Sequence, residues 1–218
     1  AQAGYSYVSS DLKAFIDENS EIDPQNFFAV DLILGKQKQV RRGGTTYGTP
    51  VFKAFPQALQ SRLAQYACQG GNMIISGAHV ASELWDTTGM DTLGRDFALE
   101  TLNIRYRSRH ASKTGKIMVA PSPYTAFYKG ETLGETVYSF RTGLNLTVYP
   151  VESPDALEPA GPGAYTIFRY RDNRLSAGVA YRGNYRVVTL GFPLETLETE
   201  EQQARLVREC LDFFNTDK

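Results

Sequence analysis

Apolar and polar residues recur along this chain with periods that change after residue 102. "YSYVSS" reads as a short strand, and "SSDLKAFIDE" as a helix capped by Ser9 or Ser10, with Leu12, Phe15 and Ile16 facing inward. Asp23-Pro24 marks a turn, and "FFAVDLILG" is a continuous apolar run of the kind that predicts a strand buried on both faces. The polar, glycine-rich "KQKQVRRGGTTYGTP" predicts a loop. A helix follows over "FPQALQSRLAQYACQGG", with Pro56 in its first turn, Leu59, Leu63 and Tyr66 on one face, and Gly70-Gly71 as its left-handed cap. "NMIIS" predicts the next strand, and helices are expected near 78–86 and 93–101. Strand and helix alternating in this way imply right-handed crossovers and a parallel sheet.

The second half has a different rhythm. "LNIRYRSRH" alternates and puts Arg105, Arg107 and Arg109 on one face, and "GKIMVA" is a further strand. Residues 121–163 are rich in Pro and Gly, so an irregular insertion with short strands is expected there. "YTIFRYR", "SAGVAYRG" and "YRVVTLGFP" predict consecutive strands, and the turns "RDNR" and "RGNY" make them antiparallel hairpins. A final helix has Thr199 as its N-cap and Leu206, Cys210, Phe213 and Phe214 on one stripe. These elements predict a single α/β domain over 1–218, three-layered and flavodoxin-like, with a mainly parallel central sheet and an antiparallel extension.

Composition removes several classes of function. The chain has 218 residues, 42% of them hydrophobic and 22% charged, and can bury a sizeable core. A net charge of −1 gives no global field to recruit nucleic acid or an anionic membrane. No apolar run approaches the roughly 20 residues a bilayer requires, so no membrane span is expected. Two cysteines, Cys68 and Cys210, are too few for a disulfide framework and read as buried free thiols. No His, Cys or Asp cluster has ligand spacing, so neither a metal nor another cofactor is expected.

Ligands of open α/β sheets bind beyond the carboxyl ends of the strands. Three segments follow strands here, "GKQK", "SGAHVASE" and "GFPLE", and offer Lys36, Gln37, Ser76, His79, Glu83 and Glu195. His79 sits on a strand-to-helix corner as a candidate general base or ligand contact, and Glu83 at i+4 is placed to orient it. Ser76 lacks the G-x-S-x-G context of a nucleophile. Two basic patches, 36–42 with Lys36, Arg41 and Arg42, and 105–116 with Arg105, Arg107 and Arg109, are candidate carboxylate contacts or simply solvated faces. "NLT" at Asn145 matches a glycosylation sequon.

In order, "VDLILGKQ", a helix ending "YACQGG", "NMIISGAHVA" and the late "YRVVTLGFPLE" resemble the class I glutamine amidotransferase-like domains. The likeness is nearest to the domain at the C-terminal end of secreted bacterial proteins of the xanthan lyase type, which often carry a golvesin-type carbohydrate-binding module. It spans most of the chain and is clearest over 28–102 and 176–214. Working amidotransferases have a Cys within G-x-C-x-G at the corner; here that position is Ala78, with Val80 at the second Gly. Their late His-Pro-Glu becomes "GFPLE", with Phe192 in place of His and Glu195 displaced by one. The resemblance therefore implies a non-catalytic accessory module and a fragment of a larger multidomain protein, secreted or periplasmic. Its expected partners are an acidic polysaccharide or the parent protein's neighbouring domains. The alternatives are a polysaccharide lyase or hydrolase working through His79, Glu83 and Glu195, or an oligomerisation and docking domain.

Overall fold

The computed structural model describes residues 3–42, 50–85, 92–128 and 131–216. Residues 43–49 of the expected loop, residue 86 of the expected helix, and residues 129–130 of the insertion lie outside these. Among the described residues, five α-helices, two short 3-10 helices and eleven strands form. The helices are α1 (Leu12–Ile16), α2 (Gln57–Cys68), α3 (Val80–Leu84), α4 (Leu93–Glu100) and α5 (Glu200–Asn215). The first six strands are β1 (Ala29–Ile33), β2 (Val40–Arg41), β3 (Pro50–Phe52), β4 (Asn72–Ser76), β5 (Ile104–Ser108) and β6 (Lys116–Val119). The remaining five are β7 (Thr136–Ser139), β8 (Ala156–Pro159), β9 (Ala164–Tyr170), β10 (Ser176–Arg182) and β11 (Arg186–Leu190).

The fold is mixed α/β, built on a seven-stranded sheet in the order β1-β4-β11-β10-β9-β6-β7. Only β1–β4 and β4–β11 pair in parallel; β11–β10, β10–β9, β9–β6 and β6–β7 are antiparallel. The expected flavodoxin-like, mainly parallel sheet is thereby overturned. Short turns join β9 to β10 and β10 to β11, too short for the crossover a parallel pair needs, so the antiparallel extension becomes most of the sheet. β5 leaves the main sheet to pair with β8, and β2 pairs with β3 where a loop was expected.

Side chains of the central strands alternate between two cores. On β4, Met73 and Ile75 enter the cluster with Leu59, Leu63 and Tyr66 of α2 and Phe97 of α4, while Ile74 joins the cluster with Leu206, Cys210 and Phe213 of α5. β10 and β11 contribute to both, which is why their sequences read as apolar throughout. β1 touches both only with partly buried side chains, Ala29 on one and Val30 and Leu32 on the other: it is an edge strand with Asp31 and Ile33 exposed, not a strand buried on both faces.

The first helix is capped by Asp11, whose carboxylate accepts from Ala14 N at 2.8 Å, rather than by Ser9 or Ser10, and "YSYVSS" forms no strand. Cys210 is buried as expected, but Cys68 is exposed. Thr199 caps α5, accepting from Gln202 N at 3.2 Å. Among the described residues, no helix is long and apolar enough to cross a membrane.

Candidate functional site

Three loops meet beyond the carboxyl ends of β1, β4 and β11, and backbone hydrogen bonds fix them to one another. The chain leaves β1 through Gly35, at φ +56°, in the left-handed region that favours glycine. A side chain there would also meet Tyr149 Oη at 2.8 Å and Glu195 Oε1 at 3.4 Å. The Gly35 carbonyl accepts from Ala78 N at 2.8 Å, which docks the Lys36–Lys38 loop onto the corner after β4. Gly77 leaves little room either: a Cβ would lie 3.0 Å from that of Leu34.

The corner is occupied from within. His79 stands at the N-cap position of α3 without making a side-chain cap. That role falls to Asp155, which is fully buried and accepts from Ala81 N at 3.0 Å and Ser82 N at 2.7 Å. Asp155 is itself held by its backbone: its N–H donates to Gly191 O at 2.9 Å, and Tyr170 Oη donates to its carbonyl at 2.8 Å. Burial outweighs the donors to its carboxylate and pushes that group up to about 7.

Gly191 makes this approach possible, because a Cβ on it would overlap the Asp155 carbonyl oxygen. Gly191→Ala is expected to destabilise the protein by about 1–3 kcal/mol, the range for overpacking a filled interior. Urea unfolding measures it, and an unchanged midpoint would show that the 155 segment yields freely.

The sequence-predicted residues have separate duties. Glu83 is a clamp: Oε1 accepts from Ala54 N at 2.9 Å and Oε2 from Gln39 N at 2.5 Å. Burial raises its pKa against these donors. Glu195 accepts from Tyr149 Oη at 2.6 Å. Ser76 is fully buried in β4, and its hydroxyl has no hydrogen-bond partner among the described residues. Gln37 is exposed and closes a turn through its backbone N–H to Leu34 O at 3.0 Å. Glu83 and Glu195 are thus each engaged away from His79.

Cations are what gather at His79. Lys36 reaches Glu152 at 2.6 Å and Pro150 O at 3.0 Å, lying over the Tyr149 ring. Half-buried, His79 has its pKa lowered to about 4, first by burial and then by Lys38, Arg109, Lys36 and His110. It is neutral at pH 7. The two basic patches meet at Glu152, whose carboxylate takes Lys36 at 2.6 Å and whose carbonyl lies 3.3 Å from His110 Nδ1, and Lys38 and Arg109 add to the positive field at His79. Arg105 and Arg107 lie exposed on β5 and are not among these neighbours.

Sequence reasoning missed Asp155, Tyr149 and Glu152, all within or beside the irregular insertion, where no periodicity marks a contact with a distant loop. Among the described residues, no group of His, Cys, Asp and Glu could hold a metal ion.

No family model matches the chain, and no curated protein does. Among solved structures, an exo-β-1,4-mannosidase, Op5Man5 from Opitutaceae bacterium strain TAV5, is similar at a TM-score of 0.44 and 11% identity. The match covers 88% of this chain and 25% of the mannosidase, so the chain spans about a quarter of that protein's length.

Proposed function

We propose that this chain is a non-catalytic binding module of a polysaccharide-acting protein, and that its basic rim contacts an acidic glycan. One observation carries the first half. The free N–H groups at the start of α3, where a corner of this type would receive a reacting oxyanion, are filled by the chain's own Asp155. The residues around it agree: Ala78 and Phe192 supply neither nucleophile nor base. Glu83 and Glu195, the acids a lyase or hydrolase would use, are committed to Gln39, Ala54 and Tyr149. The meeting of the two basic patches supports the second half, as does the motif likeness to accessory domains of xanthan lyase-type proteins.

The purified chain is expected to give no unsaturated uronate, read by ultraviolet absorbance, from xanthan or other acidic polysaccharides. It should nevertheless be retarded in native gels containing those polymers and not in gels containing a neutral one. Sustained product that disappears in His79→Ala would make the rim an active site and end the reading. Equal mobility in every gel would remove the glycan contact.

A further inference from the structure

We infer that the rim holds one oxyanion, a carboxylate or phosphate group, seated at His79 between Lys38 on one loop and Arg109 and His110 on the other. The inference rests on the binding-module reading and gives its site and ligand chemistry.

The position is built rather than accidental. The first loop is pinned by Ala78 N to Gly35 O at 2.8 Å and by Gln39 N to Glu83 at 2.5 Å, on either side of Lys38. The second is pinned just past Arg109, where His110 Nδ1 lies 3.3 Å from Glu152 O and Ala111 N donates to Pro154 O at 2.9 Å. Asp155, next along that strap, is tied to the first turn of α3 immediately after His79. These bonds bring the three segments that carry Lys38, His79 and the Arg109–His110 pair side by side before any ligand arrives, which lowers the ordering cost of binding.

Like charges repel, and the acids nearby offset them only in part: Asp155 attracts Arg109, and Glu152 pairs with Lys36. Glu152 is taken by Lys36 at 2.6 Å, Asp155 by the N–H groups of Ala81 and Ser82, and Glu83 by those of Gln39 and Ala54. Among the described residues, neither Lys38 nor Arg109 has a carboxylate within ion-pair distance. An incoming oxyanion supplies the missing negative charge. Beside it an open depression lined by His110, Lys113, Thr142, Val151 and Glu152 leaves room for the rest of the molecule.

His79 makes the binding depend on pH. The surrounding cations and burial keep its imidazole neutral when the site is empty, and an anion reverses the balance in favour of imidazolium. Binding then takes up a proton at His79, and affinity rises as pH falls from 7 towards 5. The basic groups facing His79 or lining the adjoining depression are Lys36, Lys38, Arg109, His110 and Lys113, and the acidic ones are Glu152, Glu83 and Asp155.

The chain has two histidines, so their ring protons give two resonances that proton NMR resolves and His110→Gln assigns. The probes are inorganic phosphate, a short oligogalacturonate and a neutral oligosaccharide. Phosphate and the oligouronate should move the His79 titration to higher pH, and the neutral sugar should not. Lys38→Ala and Arg109→Ala, both at exposed positions, should each weaken binding about tenfold, the loss expected for one charge-assisted contact. His79→Gln should bind at pH 7 but lose the rise in affinity at pH 5. A tighter complex with the oligouronate than with phosphate makes the ligand a uronate; the reverse order makes it a phosphate. A His79 resonance that neither anion moves overturns the inference, and polymer retardation persisting in that same sample would leave the binding-module reading standing. Turnover of the oligouronate, by contrast, would strike the module reading itself.

Discussion

Asp155→Asn and His79→Gln are expected to tilt the dependence of stability on pH in opposite directions. The folded protein raises the Asp155 carboxyl from 3.8 to about 7. A raised carboxyl binds its proton more tightly when folded, so its contribution is fully present below 3.8 and is lost as pH climbs through about 7. At roughly 1.4 kcal/mol for each pH unit, the loss amounts to about 4 kcal/mol. His79 works the other way. Its pKa falls from 6.5 to about 4, so its contribution is present above 6.5 and is lost as pH drops through about 4; because the ring is only half-buried, solvent screening holds the loss to about 1 kcal/mol. In the wild type the two oppose each other between pH 4 and 7, with Asp155 the larger. Asn at 155 keeps an oxygen for Ala81 and Ser82 but cannot ionise; its stability relative to wild type should rise by about 4 kcal/mol across that window. Gln at 79 should show the opposite and shallower trend, falling relative to wild type by about 1 kcal/mol. Burial also raises Glu83 and Glu209, but both are common to all three proteins and drop out of the differences. Urea midpoints at three pH values measure the slopes, and two variants running parallel to wild type would contradict the burial assigned to both groups.

The elements that the hydrophobic pattern made legible are those whose pattern is local. Helices α2 and α5 and strands β4, β9, β10 and β11 lie where the periods place them, because each buries a face through residues near in sequence. The same apolar runs say nothing about strand direction. A strand buried on both faces looks alike in a parallel and an antiparallel neighbourhood, so the early strand–helix alternation pointed to the wrong sheet. β1 misled for a related reason: its run is apolar enough for a central strand, yet β4 is its sole partner in the seven-stranded sheet.

The candidate site was legible in part for the same cause. The positions after β1 and β4 follow from topology, so Lys36, His79 and Glu83 could be found at a rim. That Glu83 is a clamp depends on Gln39 and Ala54, and that the corner is filled depends on Asp155, 74 residues from Ala81. Neither contact leaves a spacing signature. The union of the basic patches also required β5 to leave the main sheet and pair with β8, which carries the 152–155 strap beside Arg109 and His110.

Phe192→Ala is expected to destabilise the protein by about 3–5 kcal/mol, a large part of the 5–15 kcal/mol that keeps a domain of ordinary stability folded. Phe192 is fully buried and stacks on Phe140, with centroids 5.5 Å apart and planes 10° from parallel, in the core that α5 closes. Phe192→His, the residue type at the matching position of the amidotransferase motif, should fare little better, since an imidazole there loses the ring stacking and has to find hydrogen-bond partners in a packed apolar core. Adding Ala78→Cys does not rescue a thiolate: Ala78 is buried among the same residues, and burial raises rather than lowers a thiol pKa. The double variant should therefore be less stable than wild type, give no glutamine hydrolysis and react slowly with iodoacetamide while folded. A double variant as stable as wild type, with a rapidly alkylated thiol at position 78, would mean that the interior tolerates a polar pair. The corner would then be an active-site frame lacking only its residues. The stacking of Phe140 on Phe192 argues for the first outcome, because a closed aromatic core gives an imidazole no hydrogen-bond partner.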